Sequence, residues 1–220
     1  MTSGKPVQNA WIIGAGRFGA LAADRLKNRY RITLVDLDQA ALERIEIPGT
    51  TKIRQDGIQY LLEHLTPDTG GIWVVPCLPI HLAWEWGRRV IGPDRLIPFA
   101  PPVELDLHLP NSIRPGGPHV YVSNADFTCP ENCSEPGETC TSTGRPRKKD
   151  MYARVESIRF RDFCPIVLKS RQLAPGVGGY RPYDLFHLAD RITGTNGNLL
   201  VTTACRCHGV ITGGRHRPEL

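Results

Sequence analysis

Nowhere does the sequence offer the run of about 20 apolar residues that a membrane helix needs, so no spanning segment is expected. The opening "MTSGKPVQNAWIIG" lacks a basic n-region, a long apolar stretch and a cleavage-like site. No signal peptide is therefore expected, and the chain reads as soluble and cytoplasmic. Also missing is a long basic stripe with interleaved aromatics, which argues against nucleic acid as a partner. Cysteine is nearly absent from the first part, where Cys77 stands alone, while Cys129, Cys133, Cys140, Cys164, Cys205 and Cys207 follow later. An odd total of seven argues against a disulfide framework and for metal or redox chemistry.

What is present divides the same way. The chain has 220 residues, of which 40% are hydrophobic, enough for a substantial core. Residues 1–128 hold 13 Lys+Arg against 13 Asp+Glu, while residues 129–220 hold 14 against 9, so the whole net charge of +5 lies in the second part. Such asymmetry points to a different partner or cofactor for each part.

The first part reads as a strand, a glycine turn and a helix. "AWII" has strand character, Gly14, Gly16 and Gly19 form G-x-G-x-x-G, and Leu21, Ala22 and Leu26 give a helix its apolar face. "RITLVD" is then a second strand ending in Asp36. In this pattern the first glycine permits the tight turn. The second lets a pyrophosphate approach the helix N-terminus, and the third lets helix and strand pack closely. Asp36 falls where a carboxylate accepts from ribose hydroxyls and repels a 2′-phosphate, so NAD(H) is expected over NADP(H). Further alternation continues the pattern: helix "QAALERI", strand "TKI", helix "DGIQYLLEHL", strand "GIWVVP", helix "PIHLAWEWGRRVIG" and strands "RLIPFA" and "HVYVSN". The expected fold is α/β, a doubly wound parallel (Rossmann) sheet over residues 1–125. A Cys-rich metal-binding loop at 126–150 and a small C-terminal α/β unit at 151–220 should follow.

With those residues in view, "IIGAGRFGALAADRL…ITLVDLDQAALERI…RQDGIQYL" resembles the TrkA-N (RCK N-terminal) nucleotide-binding domain of potassium-transport regulators. The likeness rests on "GRFG" and "VDLD", is good over about residues 8–62 and coarse to about 125. It implies that Gly14, Gly16, Arg17, Phe18, Gly19 and Asp36 hold an adenine nucleotide or dinucleotide, with Asp56 near the adenosine. Nothing after residue 125 resembles that family's C-terminal domain. In the loop "PCLPIH", Cys77 and His81 are the weak catalytic candidates, set against a buried thiol and a helix-capping or solvent-facing histidine.

Residues 101–118 read as a loop. The knuckle then places Cys129-x3-Cys133-x6-Cys140 among Pro130, Pro136 and Gly137, followed by Arg145, Arg147, Lys148 and Lys149. Three thiols need a fourth ligand for tetrahedral zinc or an iron–sulfur cluster. In the tail, "FCPIVLKS" reads as a strand, "QLAPGVGGY" as a loop, "RPYDLFHLADRI" as a helix and "NLLVTTACRCHGVI" as a second strand parallel to the first. Cys164 would begin one strand and Cys205 and Cys207 end the other, so one centre could not use both. Cys164, followed by proline as Cys129 is, is the expected fourth ligand, with Cys205, Cys207 and His208 as the alternative. The functional expectation is an NAD(H)-binding redox protein with an iron–sulfur or zinc centre. The competing expectation is a nucleotide-sensing regulator with a structural metal. A protein redox or regulatory partner and a homodimer fit either.

Overall fold

A computed structural model of the chain describes residues 8–67, 69–147 and 149–218; Lys148, read above as part of the basic run, lies outside them. The first four strands are β1 Gln8–Ile13, β2 Tyr30–Asp36, β3 Thr51–Arg54 and β4 Ile72–Pro76. They form a parallel sheet in the order β3-β2-β1-β4. The helices between them are α1 Arg17–Leu26, α2 Gln39–Glu43 and α3 Gly57–His64. Helix α1 buries Gly19, Ala22, Ala23 and Leu26, the i, i+3, i+4, i+7 face of an amphipathic helix. The strand Ile72–Pro76 and the Ala10–Ile13 part of β1 are apolar because both of their faces are largely covered.

After α4 (Leu82–Ile91) the chain builds a second sheet. It contains β5 Leu96–Pro98, β6 His119–Ser123, β7 Phe163–Lys169, β10 Gly197–Ala204 and β11 His208–His216. Strand order is β5-β11-β10-β7, with β6 also paired to β11. The expected parallel relation of β7 and β10 is present, with Cys164 opposite Leu199 and Lys169 opposite Ala204. Other expectations are corrected. Segments "RLIPFA" and "HVYVSN" do not extend the first sheet; β5 and β6 pair antiparallel with β11, side by side along its nine residues. The last "strand" is two, because the chain reverses at Cys205–Cys207 and β10 and β11 form a hairpin. Gly209 allows this reversal, since a Cβ there would stand 2.9 Å from that of Ala204.

The glycine-rich stretch after β7 is also a hairpin, β8 Arg171–Ala174 with β9 Val177–Gly179. It joins the two halves: Val74 and Tyr180 exchange backbone hydrogen bonds of 2.9 and 3.0 Å, so the hairpin continues past the edge strand β4. Residues 103–108 form a 3-10 helix within the expected loop. The short α5 (Met151–Glu156), which the sequence reading omits, packs on β7, and α6 (Pro182–Thr193) packs on β7 and α4. Among the described residues, no helix is long and apolar enough to cross a membrane.

Candidate nucleotide and cysteine site

The turn between β1 and α1 is set by close approaches. Gly14 has φ +110°, and a Cβ there would lie 2.7 Å from the Cys77 carbonyl. At Gly19 a Cβ would lie 2.0 Å from the Gly14 carbonyl oxygen, so helix and turn touch there without a side chain between them. Gly16 differs: a Cβ there meets nothing within 4 Å. The space above it, at the helix N-terminus, is open. Asp36 closes the turn from β2. Its Oδ2 accepts from the Ala15 N–H at 2.6 Å and its Oδ1 from the Asp38 N–H at 2.8 Å. Asp56 caps α3 instead of standing free, accepting from the Gln59 N–H at 2.9 Å. Phe18, in the first turn of α1, is exposed.

Of the two reactive candidates after β4, Cys77 is half-buried and His81 is buried. Burial pushes the Cys77 thiol up to about 12, and its side chain packs against the core under α1. His81 is 3% exposed. Its Nδ1 is bonded to the Thr212 hydroxyl at 2.7 Å and its Nε2 to the Thr203 hydroxyl at 2.8 Å. Burial, reinforced by the neighbouring His119, pushes its pKa down to about 3, so the ring stays neutral. His81 stands at the N-cap of α4, as one expectation had it, but its ring makes no cap bond and joins the start of α4 to β10 and β11.

The knuckle is anchored to α1 and to the β8–β9 hairpin. Arg17 is ion-paired with Glu131. The Arg25 guanidinium donates to the Glu131 carbonyl at 2.6 Å and to the Pro175 carbonyl. Gly176 N–H and Gln172 Nε2 donate to the Cys133 carbonyl at 3.2 and 2.8 Å. A turn at Cys133 lets the Glu135 N–H donate to its sulfur at 3.4 Å. The thiol of Cys140 is held low by hydrogen bonds from Thr143 and Ser142.

The hairpin tip comes to meet this loop. Cys205 Sγ accepts from the N–H groups of Cys207 and His208 at 3.3 and 3.4 Å, and lies 3.9 Å from His208 Nδ1. Glu135 Oε1 accepts from the Arg206 and Cys207 N–H groups at 2.8 and 3.2 Å, tying loop to tip. Burial pushes the Cys205 and Cys207 thiols up, to about 12 and about 11.

Two adjoining cavities result. One, of about 320 Å³, is lined by Cys129, Cys133, Cys140 and Cys207. The other, of about 500 Å³, is lined by Phe18, Cys129, Cys133, Cys205, Cys207 and His208, among others. Cys164 lines neither. It sits five residues before the end of the β7–β10 pairing, about 17 Å along the strands from the hairpin tip, and packs on the core between the sheets. Cys164, the expected fourth ligand, is thus not brought to the knuckle, whereas Cys205, Cys207 and His208, the alternative, line the cavities beside it. Among the described residues, no three Cys, His, Asp or Glu side chains form a group that would hold a single metal ion as they stand.

Comparison with known proteins places both halves in one lineage. A protein of Archaeoglobus fulgidus described as "Uncharacterized protein" is 31% identical, over 91% of this chain and 96% of its own length. No solved structure matches the chain. The family model "AF_1314_C: Uncharacterized protein, C-terminal domain" matches residues 83–217, which include the second sheet, the knuckle and the hairpin tip. The chain belongs to that family.

Proposed function

We propose that the protein is an NAD(H)-binding redox protein in which a Rossmann-type glycine turn adjoins a cysteine-ligated iron–sulfur or zinc centre. One observation carries this reading: Phe18, directly behind the glycine turn, lines the same cavity as Cys129, Cys133, Cys205 and Cys207. The strand order β3-β2-β1-β4 is that of a mononucleotide-binding half of a doubly wound sheet. The open face of Gly16 supports a phosphate there. Asp36 still has acceptor capacity beyond its two backbone bonds, which suits ribose hydroxyls and disfavours a 2′-phosphate. Cys129, Cys133, Cys140 and Cys207 would hold the centre. Bound NAD(H) would supply hydride, while this chain's residues bind it, orient it and keep the cysteines beside it.

A second reading, a nucleotide-sensing regulator of TrkA-N/RCK type with a structural metal, is favoured by one observation. Both ring nitrogens of His81 are engaged by the Thr212 and Thr203 hydroxyls, and the half-buried Cys77 thiol is pushed up by its surroundings. Protein purified without oxygen, analysed for iron and zinc and scanned in the visible range before and after NADH, separates the two. Metal together with NADH-dependent bleaching supports the redox reading. NADH binding to a colourless zinc protein supports the regulator. Absence of both NADH binding and metal overturns both.

A further inference from the structure

We infer that the tip of the β10–β11 hairpin carries a second metal site, for a single divalent ion of the zinc type, with Cys205, His208 and Glu135 as its ligands. It is separate from the centre proposed for Cys129, Cys133, Cys140 and Cys207. Cys205, His208 and Glu135 line only the cavity of about 500 Å³, whereas Cys140 lines only the one of about 320 Å³.

Spacing is the first argument. Cys205 Sγ and His208 Nδ1 stand 3.9 Å apart, which is long for a hydrogen bond. One shared ion accounts for the distance. At about 2.3 Å from sulfur and about 2.0–2.1 Å from nitrogen, tetrahedral zinc sets the two atoms about 3.6 Å apart, and about 3.9 Å once their angle opens by less than about 20°. The turn fixes the sulfur through the Cys207 and His208 N–H groups at 3.3 and 3.4 Å, the kind of outer contact that orients a metal ligand. Glu135 reaches the same turn from the knuckle. Its Oε1 accepts from the Arg206 and Cys207 N–H groups at 2.8 and 3.2 Å, and neither bond uses Oε2. As they stand the three side chains do not enclose an ion; Oε2 must turn toward the Cys205–His208 pair to close the site.

Charge and donor type are the second argument. Among the described residues, no lysine or arginine lines this cavity, while Glu131 and Glu135 do. Glu131 is engaged by Arg17, so Glu135 is the carboxylate at hand. The neighbouring cavity is lined instead by Arg145, Arg147 and Arg154 against Asp126. A cation is therefore favoured at the tip. Sulfur and imidazole donors select zinc-type ions over magnesium or calcium, which take oxygen ligands. Three protein ligands leave a fourth position for water, in a cavity that Phe18 also lines.

The test uses the full chain carrying Cys140→Ser, which disables the first centre, stripped with a chelator and titrated anaerobically with cobalt(II). Expected are one equivalent bound, a near-ultraviolet sulfur-to-cobalt band, and displacement by zinc. Adding Cys205→Ser should abolish the band. His208→Gln, at an exposed position, and Glu135→Gln, which keeps an oxygen for the tip N–H groups, should each weaken binding at least about tenfold. A band and affinity unchanged by Cys205→Ser and His208→Gln overturn this site. So does a Cys140→Ser chain that binds no cobalt while the unmodified chain binds metal, an outcome that leaves the first centre standing. No metal bound by any of these proteins overturns both sites. Affinity unchanged in Glu135→Gln overturns the part given to the carboxylate.

Discussion

Arg17, in the first turn of the helix behind the glycine turn, is ion-paired with Glu131, which stands between Cys129 and Cys133. Both side chains are substantially exposed, 78% and 47%, so the pair itself contributes only about 0–1 kcal/mol. Its consequence is positional, since the helix that would receive a phosphate also carries the cysteine loop. Arg25 adds two bonds to main-chain carbonyls, beside those that Gln172 and Gly176 give the Cys133 carbonyl. Arg25→Ala should therefore speed alkylation of Cys129 and Cys133 severalfold, and Glu131→Gln should change it little. Peptide mass spectrometry after timed iodoacetamide exposure measures this; equal rates in both variants would remove Arg25 from the account.

The glycines divide by what a methyl group would meet. Gly19→Ala should destabilise by about 1–3 kcal/mol or more, because its Cβ would stand 2.0 Å from the Gly14 carbonyl oxygen. Gly16→Ala should leave stability within about 0.5 kcal/mol, since nothing lies within 4 Å of its Cβ. The same variant should weaken NADH binding at least about tenfold, about 1.4 kcal/mol, because the methyl group enters the phosphate's space. Denaturation and NADH fluorescence titration separate the two effects. Normal NADH affinity in Gly16→Ala would count against the site.

Asp36→Ala should weaken NADH binding about 10- to 150-fold, as expected when a charged acceptor worth about 1.5–3 kcal/mol is lost. The unmodified protein should prefer NADH to NADPH, because a carboxylate beside the ribose would accept from its hydroxyls and repel a 2′-phosphate. Tighter NADPH binding in a competition titration would refute that preference.

The buried histidine makes stability depend on pH with a defined sign. His81 has a folded pKa of about 3 against 6.5 unfolded. Above pH 6.5 both states are neutral and the group costs nothing. Below 6.5 the unfolded chain takes up a proton that the folded chain refuses, so stability falls by up to about 1.4 kcal/mol per pH unit until about pH 3. At pH 5 the loss is about 2 kcal/mol. The ionisable neighbour is His119, bonded to the same Thr212 hydroxyl at 2.9 Å. Urea unfolding at pH 7.5 and 5.0 should show a drop smaller by about that amount in His81→Gln; an identical drop would assign the pH dependence to other groups.

Stripping the centre with a chelator should raise hydrogen exchange in residues 129–147 and 205–208 while leaving β1–β4 protected. The tip and the loop share few regular backbone bonds, whereas β10 and β11 are held by β5, β6 and β7. Uniform protection with and without chelator would show that the loop holds itself.

The sequence alone determined whatever depends on short-range order. The glycine triplet, the period of α1, the acid at the end of β2 and the parallel pairing of β7 with β10 were all legible, because steric and hydrophobic rules act within about 30 residues. Tertiary structure alone decided which cysteines meet. Cys207 reaches the knuckle because the chain reverses in the three residues Cys205–Cys207, and this reversal looked like continuous strand in an apolar run. The same reversal creates β11, which pairs with β5 and β6 across more than 80 residues of chain and takes both away from the first sheet. Such pairings are set by which edges remain open once the hairpin forms, and local pattern carries no record of that. Cys164 stays apart for the same reason: its strand runs in the expected direction, but the loop lies at the other end of it.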